Sequence, residues 1–179
     1  MMRRAMIYLG LAASLALVAC GPAKGQPQPA RSGGRPCPGG GVIAQTLGGP
    51  ILIRAVDRPV RLASACDGES LAAHVRAAAP ERRFILVVED LRAGSQPGVV
   101  FDVRLSPNGQ SLGTLSFFAA RPPGQAGTPK RVSYDVTRDV RAMAAAGRLG
   151  GGMTVSLAPS GQPVAGNDAS IGAVRLIEQ

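Results

Sequence analysis

The chain has 179 residues, 45% of them hydrophobic, and its 20 basic residues outnumber its 11 acidic ones by nine. It has one histidine and no tryptophan, which excludes a metal centre built from several imidazoles and a binding platform of tryptophan rings. The arginines are scattered rather than clustered on one predicted helix or strand. We therefore expect a solvated basic surface and no nucleic-acid partner, while contact with anionic glycans or lipid headgroups stays open.

Residues 1–19 have the three parts of an export signal peptide. Arg3 and Arg4 precede an apolar run, residues 5–18, which is shorter than the roughly 20 residues that a membrane-spanning helix needs. A secreted protein is thus expected, and the run predicts cleavage rather than a transmembrane helix.

The signal ends in Leu17-Val18-Ala19-Cys20, which resembles the lipobox of bacterial lipoproteins. The resemblance implies cleavage before Cys20, with diacylglycerol on its sulfur and a fatty acid such as palmitate on its amine. Two or more acyl chains give stable anchoring, so the membrane is one expected partner. Gly21 follows instead of aspartate, which in Gram-negative lipoproteins implies the outer membrane, facing the periplasm. An ordinary signal peptide with a chance cysteine is the alternative.

Residues 20–49 are rich in glycine, proline, glutamine and alanine and are predicted to form a lipid-anchored tether, because such a segment buries little apolar surface. The remaining cysteines, Cys37 and Cys66, are an expected disulfide pair in an oxidising compartment. The bridge would close a loop of about 30 residues and stabilise the fold by roughly 3–4 kcal/mol. Two free thiols are the alternative, and two cysteines are too few for a structural zinc site.

Residues 50–179 contain short apolar runs separated by turn residues, in the pattern typical of β-strands. The predicted strands are residues 51–56, 84–88, 99–105, 113–118, 131–136, 153–157 and 171–177. The first of them is predicted to continue at residues 60–62, with Pro59 at an edge position. Residues 84–88 are apolar throughout, so we expect them at the centre of the sheet. Asn108-Gly109 predicts a hairpin between the strands predicted at residues 99–105 and 113–118.

Two short helices interrupt the strands. One is predicted over residues 70–79, and the other is predicted to begin at a capping Thr137 and to end at Gly147. About seven short strands with regular turns predict an all-β fold, a Greek-key β-sandwich with one or two short helices, over residues 50–179.

The order of these segments carries a further likeness. The runs are RRFILVVEDL, VVFDVRL, LGTLSFF, VSYDVTRDVRAMAAAGRL, MTVSLAP and IGAVRLI. Together they resemble the C-terminal β-sandwich domain of tyrosinases and plant-type polyphenol oxidases, over residues 82–177 and more faintly 50–62. A lysine often precedes the FDV motif of that family, and Val100 stands here. The resemblance implies the fold of a domain that covers the copper-site entrance of the oxidase.

The oxidase activity itself does not carry over, because the copper domain of that family binds two coppers with six histidines and this chain has His74 alone. We therefore expect a non-catalytic accessory module of the cell envelope that binds another envelope protein, with a tyrosinase-type copper oxidase as one candidate. The alternatives are a structural envelope lipoprotein with no metal or enzyme partner, and a copper-handling protein.

No catalytic constellation is found in the sequence. His74 is interpreted as solvent-facing or partly packed, against the alternative of a copper site that it would form with Met143, Met153 or a reduced Cys66. Glu89 and Asp90 are adjacent carboxylates, which we interpret as a turn rather than as the acid pair of a glycosidase. No catalytic residue, metal ligand or cofactor is assigned.

One feature points to an interaction surface. Phe117 and Phe118 are consecutive, and since successive side chains of a strand point to opposite faces, one of them must face outward.

Overall fold

The computed structural model describes residues 40–54, 57–66, 68–107 and 109–179, all of which belong to one unit of the chain, Ser32–Gln179. The predicted signal peptide, the predicted lipidation site Cys20 and the predicted disulfide partner Cys37 lie outside the described residues.

Ten strands and two helices lie in this part of the chain. They are β1 (Gly41–Thr46), β2 (Ile51–Leu52), β3 (Arg58–Ser64), α1 (Leu71–Ala77), β4 (Phe84–Leu91), β5 (Phe101–Ser106), β6 (Gln110–Leu115), β7 (Lys130–Asp135), α2 (Thr137–Ala145), β8 (Gly152–Pro159), β9 (Ser170–Ile171) and β10 (Ala173–Glu178). Eight strands form one antiparallel sheet in the order β6-β5-β8-β3-β1-β10-β4-β7, and β2 pairs with β9. The predicted all-β class is confirmed, with more strands than the seven expected.

The sheet curls until its two edge strands meet. The hydroxyl of Tyr134 on β7 donates a hydrogen bond of 2.9 Å to the carbonyl oxygen of Thr114 on β6. The inward faces of the curled sheet enclose one continuous hydrophobic core. Phe101 and Phe117 pack edge to face within it, with ring centroids 5.8 Å apart and ring planes at 82°, a favourable arrangement for aromatic pairs.

The boundary between tether and domain is earlier than the sequence predicted. Residues 41–46, assigned to the tether, form β1, which pairs with β10 on one side and with β3 on the other. Ile43 and Ala44 on this strand are fully buried. The assignment of residues 41–46 to the tether was wrong because the burial of this strand comes from its neighbours. Its own residues show no strand pattern that stands out from the glycine-rich sequence around them.

Three further elements differ from the predictions. Of the first predicted strand, Ile51–Leu52 form β2 and residues 53–54 lie outside it, while the next strand begins at Arg58, before the predicted continuation at 60–62. Glu89 and Asp90 lie inside β4, at an irregularity of its pairing with β7, rather than in a turn. The cap of α2 is Val136 and not Thr137. The Thr137 hydroxyl accepts the Phe84 N–H at 2.9 Å instead, and the Asp135 carboxylate accepts the Thr137 N–H at 3.0 Å.

Most of the other elements agree with the predictions. The hairpin joins β5 to β6. The strand β4 is mostly buried, as predicted, but it lies next to the edge strand β7 rather than at the centre of the sheet. The helix α1 is capped by the Ser70 side chain, which accepts the Ala73 N–H at 3.2 Å. The helix α2 ends in a Schellman motif: Gly147 has φ +69°, its N–H donates to Ala144, and the Arg148 N–H donates to Met143.

The curled sheet has two distinct ends. At the end that we call proximal, the chain enters β1. Here Gly41, the first residue of β1, pairs with Glu178 at the end of β10, and Glu178 pairs in turn with Phe84 at the start of β4. Both helices lie in connections at this end. The opposite end, which we call distal, is formed by the connections that include residues 47–54, 57, 92–100, 116–129 and 160–172.

The two helices are held together by arginines. The Arg76 Nε donates to the Ala144 carbonyl at 3.1 Å, which joins α1 to α2. The Arg141 guanidinium lies 5.4 Å from the centre of the Phe84 ring and donates to the Ala79 carbonyl at 2.6 Å. The proximal end is therefore closed by a helix pair that is tied to β4.

Candidate functional site

His74 lies in a cluster of charges at the proximal end. Its Nε2 is 2.9 Å from the Glu178 Oε2, and its Nδ1 is 3.7 Å from the Glu69 Oε2. Glu178 is only 4% exposed and also approaches the Arg82 Nε at 3.7 Å and the Gly40 N–H at 3.5 Å. The cluster connects α1, the end of β10 and the point where the chain enters β1, so its geometry fits a structural clamp.

In the described part of the chain, the cluster around His74 contains no further metal-coordinating side chain and no nucleophile. Within the described ranges, no group of three or more His, Cys, Asp and Glu residues could hold a metal ion. Met143 and Met153 are buried in the hydrophobic core, and His74 is already engaged with carboxylates. A copper site that uses His74 and these methionines gains no support from this placement, and that alternative stays a prediction.

Cys66 is disulfide-bonded in this structure and buried, with its Sγ 3.7 Å from the Ile43 carbonyl oxygen. It is thus not available here as the reduced copper ligand that the sequence left open. Since Cys20 and Cys37 lie outside the described residues, the pairing of Cys66 with Cys37 stays a prediction.

Glu89 and Asp90 are engaged with arginines rather than with each other. The Glu89 Oε2 is 2.8 Å from the Arg175 Nη1, and the Asp90 Oδ1 is 2.5 Å from the Arg92 Nε. Asp90 has φ +53°, which directs its side chain away from the regular alternation of the strand. Two carboxylates that each have a cationic partner are arranged as ion pairs and not as an acid and a base sharing a substrate.

The two consecutive phenylalanines differ in exposure, as predicted, but not because they belong to a strand: β6 ends at Leu115, so the strand predicted over residues 113–118 stops short of both. Phe117 is 1% exposed and lies in the core, whereas Phe118 is 81% exposed. The exposed member of the pair, which the sequence could not identify, is therefore Phe118. It follows the end of β6 at the distal end of the sheet.

Phe118 is part of a wider apolar surface. The large hydrophobic side chains that are exposed in the described part of the chain all lie at the distal end: Leu47, Leu52, Val100, Phe118 and Val164. We call four of them, Leu52, Val100, Phe118 and Val164, the distal surface. Exposed apolar residues scattered singly need no explanation, but their concentration at one end of a fold indicates an interaction site.

The four side chains of the distal surface are connected through two clefts. Phe118 and Val100 line a cleft of about 270 Å³ together with Pro97. The Val164 N–H donates to the Pro97 carbonyl at 2.8 Å, and Val164 lines a second cleft, of about 600 Å³, with Leu52. The apolar surface thus continues from one loop to the next.

Backbone hydrogen bonds join the distal loops to each other. They run from Ala93 to Arg121 at 2.8 Å, from Arg92 to Ser170 at 2.9 Å, from Ser160 to Val100 at 2.9 Å and from Ile53 to Ala169 at 2.8 Å. Loops fixed in this way lose little further conformational freedom on binding, which lowers the entropic cost of association.

Asp168 strengthens this connection between loops. Its carboxylate accepts the N–H groups of Ser95 and Gly94, each at 2.8 Å. These hydrogen bonds, that of Ser95 first, hold the pKa of Asp168 below its usual value. The carboxylate is therefore charged at neutral pH and fixes residues 94–95 against the loop that carries Val164.

The comparisons with known proteins identify no family. A scan against models of protein families found none that matches this chain, and a search of curated proteins found no match. The likeness to the C-terminal domain of tyrosinases therefore remains a prediction from the sequence. Neither helix of the described part of the chain is long and apolar enough to cross a membrane.

Proposed function

We propose that this protein is a non-catalytic lipoprotein of the bacterial cell envelope, anchored through Cys20, whose β domain docks onto a partner protein through the distal surface. The observation that carries the docking proposal is the concentration of exposed hydrophobic side chains at one end of the domain, on loops joined by backbone hydrogen bonds. An aromatic side chain as exposed as Phe118 is the kind of residue that anchors a protein interface.

The distal surface lies at the end of the sheet opposite to Gly40, where the described chain enters β1. The partner that we propose for this surface is a protein. A tyrosinase-type copper oxidase is the candidate partner that the sequence resemblance suggests, and the alternative is a structural envelope lipoprotein without such a partner.

The lipid anchor is tested by metabolic labelling with radioactive palmitate. We expect the full chain to incorporate label and to fractionate with membranes, and the Cys20→Ser variant to lose both properties. Label that persists in this variant would overturn the assignment of Cys20.

The docking surface is tested by photo-crosslinking in the cells that produce the full chain. A benzoylphenylalanine at position 118 should give a discrete adduct with one protein on irradiation. The same group at position 138 is the control, since the Arg138 side chain is 85% exposed on α2 at the proximal end and should give no such adduct. Equal adducts from both positions, or an adduct with lipid only, would overturn the docking proposal.

A further inference from the structure

The charges around the distal surface indicate the chemistry of what covers it. Arg54 is exposed and lines the same cleft of about 600 Å³ as Leu52 and Val164. Arg58 is exposed as well and lines a separate cleft of about 500 Å³ with Leu47, an exposed hydrophobic side chain of the same end. The described part of the chain supplies neither arginine side chain with an ion pair or a hydrogen bond.

The carboxylates at the same end are already engaged. Asp90 pairs with Arg92, and Asp168 is bound by backbone N–H groups. Asp57 lies toward a different cleft, which it lines with Arg104 on the outer face of the sheet. The distal end therefore carries an excess of positive charge, which lies beside the exposed hydrophobic side chains.

We infer that the partner protein presents an acidic surface, in which carboxylates surround an apolar pocket that receives Phe118. This inference rests on the proposed docking function. Complementary potentials across an interface speed association and exclude wrong partners, and the surplus arginines are matched by carboxylates on the other side. In a symmetric pair of this chain both surfaces would carry the same excess of positive charge, so like-charge repulsion disfavours self-association.

The test reverses the two charges and keeps the crosslinking group at position 118. The variant Arg54→Glu/Arg58→Glu should lower the yield of the adduct roughly three- to tenfold, since rim charges act through weak pairs and through the association rate. The matched control is Arg83→Glu/Arg138→Glu, which changes the net charge equally with two exposed arginines of the proximal end. It should leave the yield unchanged.

A second measurement uses isolated envelope fractions of the same cells. Raising the sodium chloride concentration from about 0.1 to 1 M shortens the electrostatic screening length from about 10 to 3 Å. The adduct yield of the protein that keeps Arg54 and Arg58 should therefore fall several-fold. Circular dichroism of each purified variant checks that its fold is retained.

The possible outcomes separate the two proposals. If an adduct forms at position 118 but charge reversal and salt leave it unchanged, the docking proposal stands and the acidic partner is refuted. An adduct with a second copy of this chain refutes the acidic partner as well. If position 118 gives no protein adduct at all, the docking proposal itself fails.

Discussion

The opposite orientations of Phe117 and Phe118 allow a test of the fold with two substitutions at adjacent positions. Phe117→Ala removes a side chain that is 1% exposed and packed edge to face on Phe101. Truncating a buried phenylalanine costs about 3–5 kcal/mol, and the lost aromatic pair, worth about 0.5–1.5 kcal/mol, favours the upper part of that range. Phe118→Ala removes a side chain that is 81% exposed and should change the free energy of unfolding by less than about 0.5 kcal/mol.

The assay is equilibrium unfolding in urea, followed by circular dichroism. With a slope of about 2 kcal/mol per molar urea, Phe117→Ala should lower the midpoint by roughly 2 M, and Phe118→Ala should leave it within about 0.3 M. The two variants control for each other, because the residue removed and the residue introduced are the same. If Phe118→Ala were the more destabilising change, or if the two costs were equal, the orientation of this segment would be wrong.

Three further predictions concern packing and charge. Gly152→Ala should destabilise the protein by about 1–3 kcal/mol, because its Cβ would lie 2.3 Å from the Leu62 carbonyl oxygen. Gly151→Ala, whose Cβ meets nothing within 4 Å, should not destabilise it by more than about 0.5 kcal/mol in the same urea assay. In the chain without residues 1–19, Tyr134 is the single tyrosine, and an ultraviolet titration should show a pKa of about 12, raised by burial. Its unfolded-state pKa is about 10, so stability should fall as pH rises from about 10 to 12, and a midpoint near 10 would contradict this. Glu178→Ala should lower the free energy of unfolding by about 1.5–3 kcal/mol, because the imidazole and guanidinium beside this 4% exposed residue lose their carboxylate. A loss below about 0.5 kcal/mol would show that the clamp contributes little.

The parts of the fold that were predicted from sequence are those with a strong local pattern. In β5, Phe101, Val103 and Leu105 alternate with polar residues and are all buried, because a strand with one face on the core needs that period. The glycine after α2 has the positive φ that ends a helix. These features depend on a few neighbouring residues and so can be read without the rest of the chain.

The parts that were missed depend on contacts between distant residues. The burial of β1 comes from β3 and β10, and the latter is more than 100 residues away in the chain. The distal surface has the same origin. Leu52 lies in β2, and Val100 and Val164 lie in two separate loops. Only the closure of the sheet brings these segments together. Phe118 is the one member of this surface that the sequence identified, through its position after Phe117.

The length of the sheet separates the distal surface from the clamp at the proximal end. The eight residues of β4 span about 26 Å at roughly 3.3 Å per residue, so a partner at the distal end does not contact the clamp around Glu178. Sites this far apart usually act independently. The proposed anchor, Cys20, is not a member of the distal surface, so Cys20→Ser should release the protein from the membrane. A benzoylphenylalanine at position 118 of this variant should still form its adduct when the partner is supplied in the same fraction. Phe118→Ser should weaken docking, which a crosslinking group at position 164 reports, and leave membrane attachment intact. If Phe118→Ser alone released the protein from the membrane, the docked partner rather than the lipid would be what holds it there.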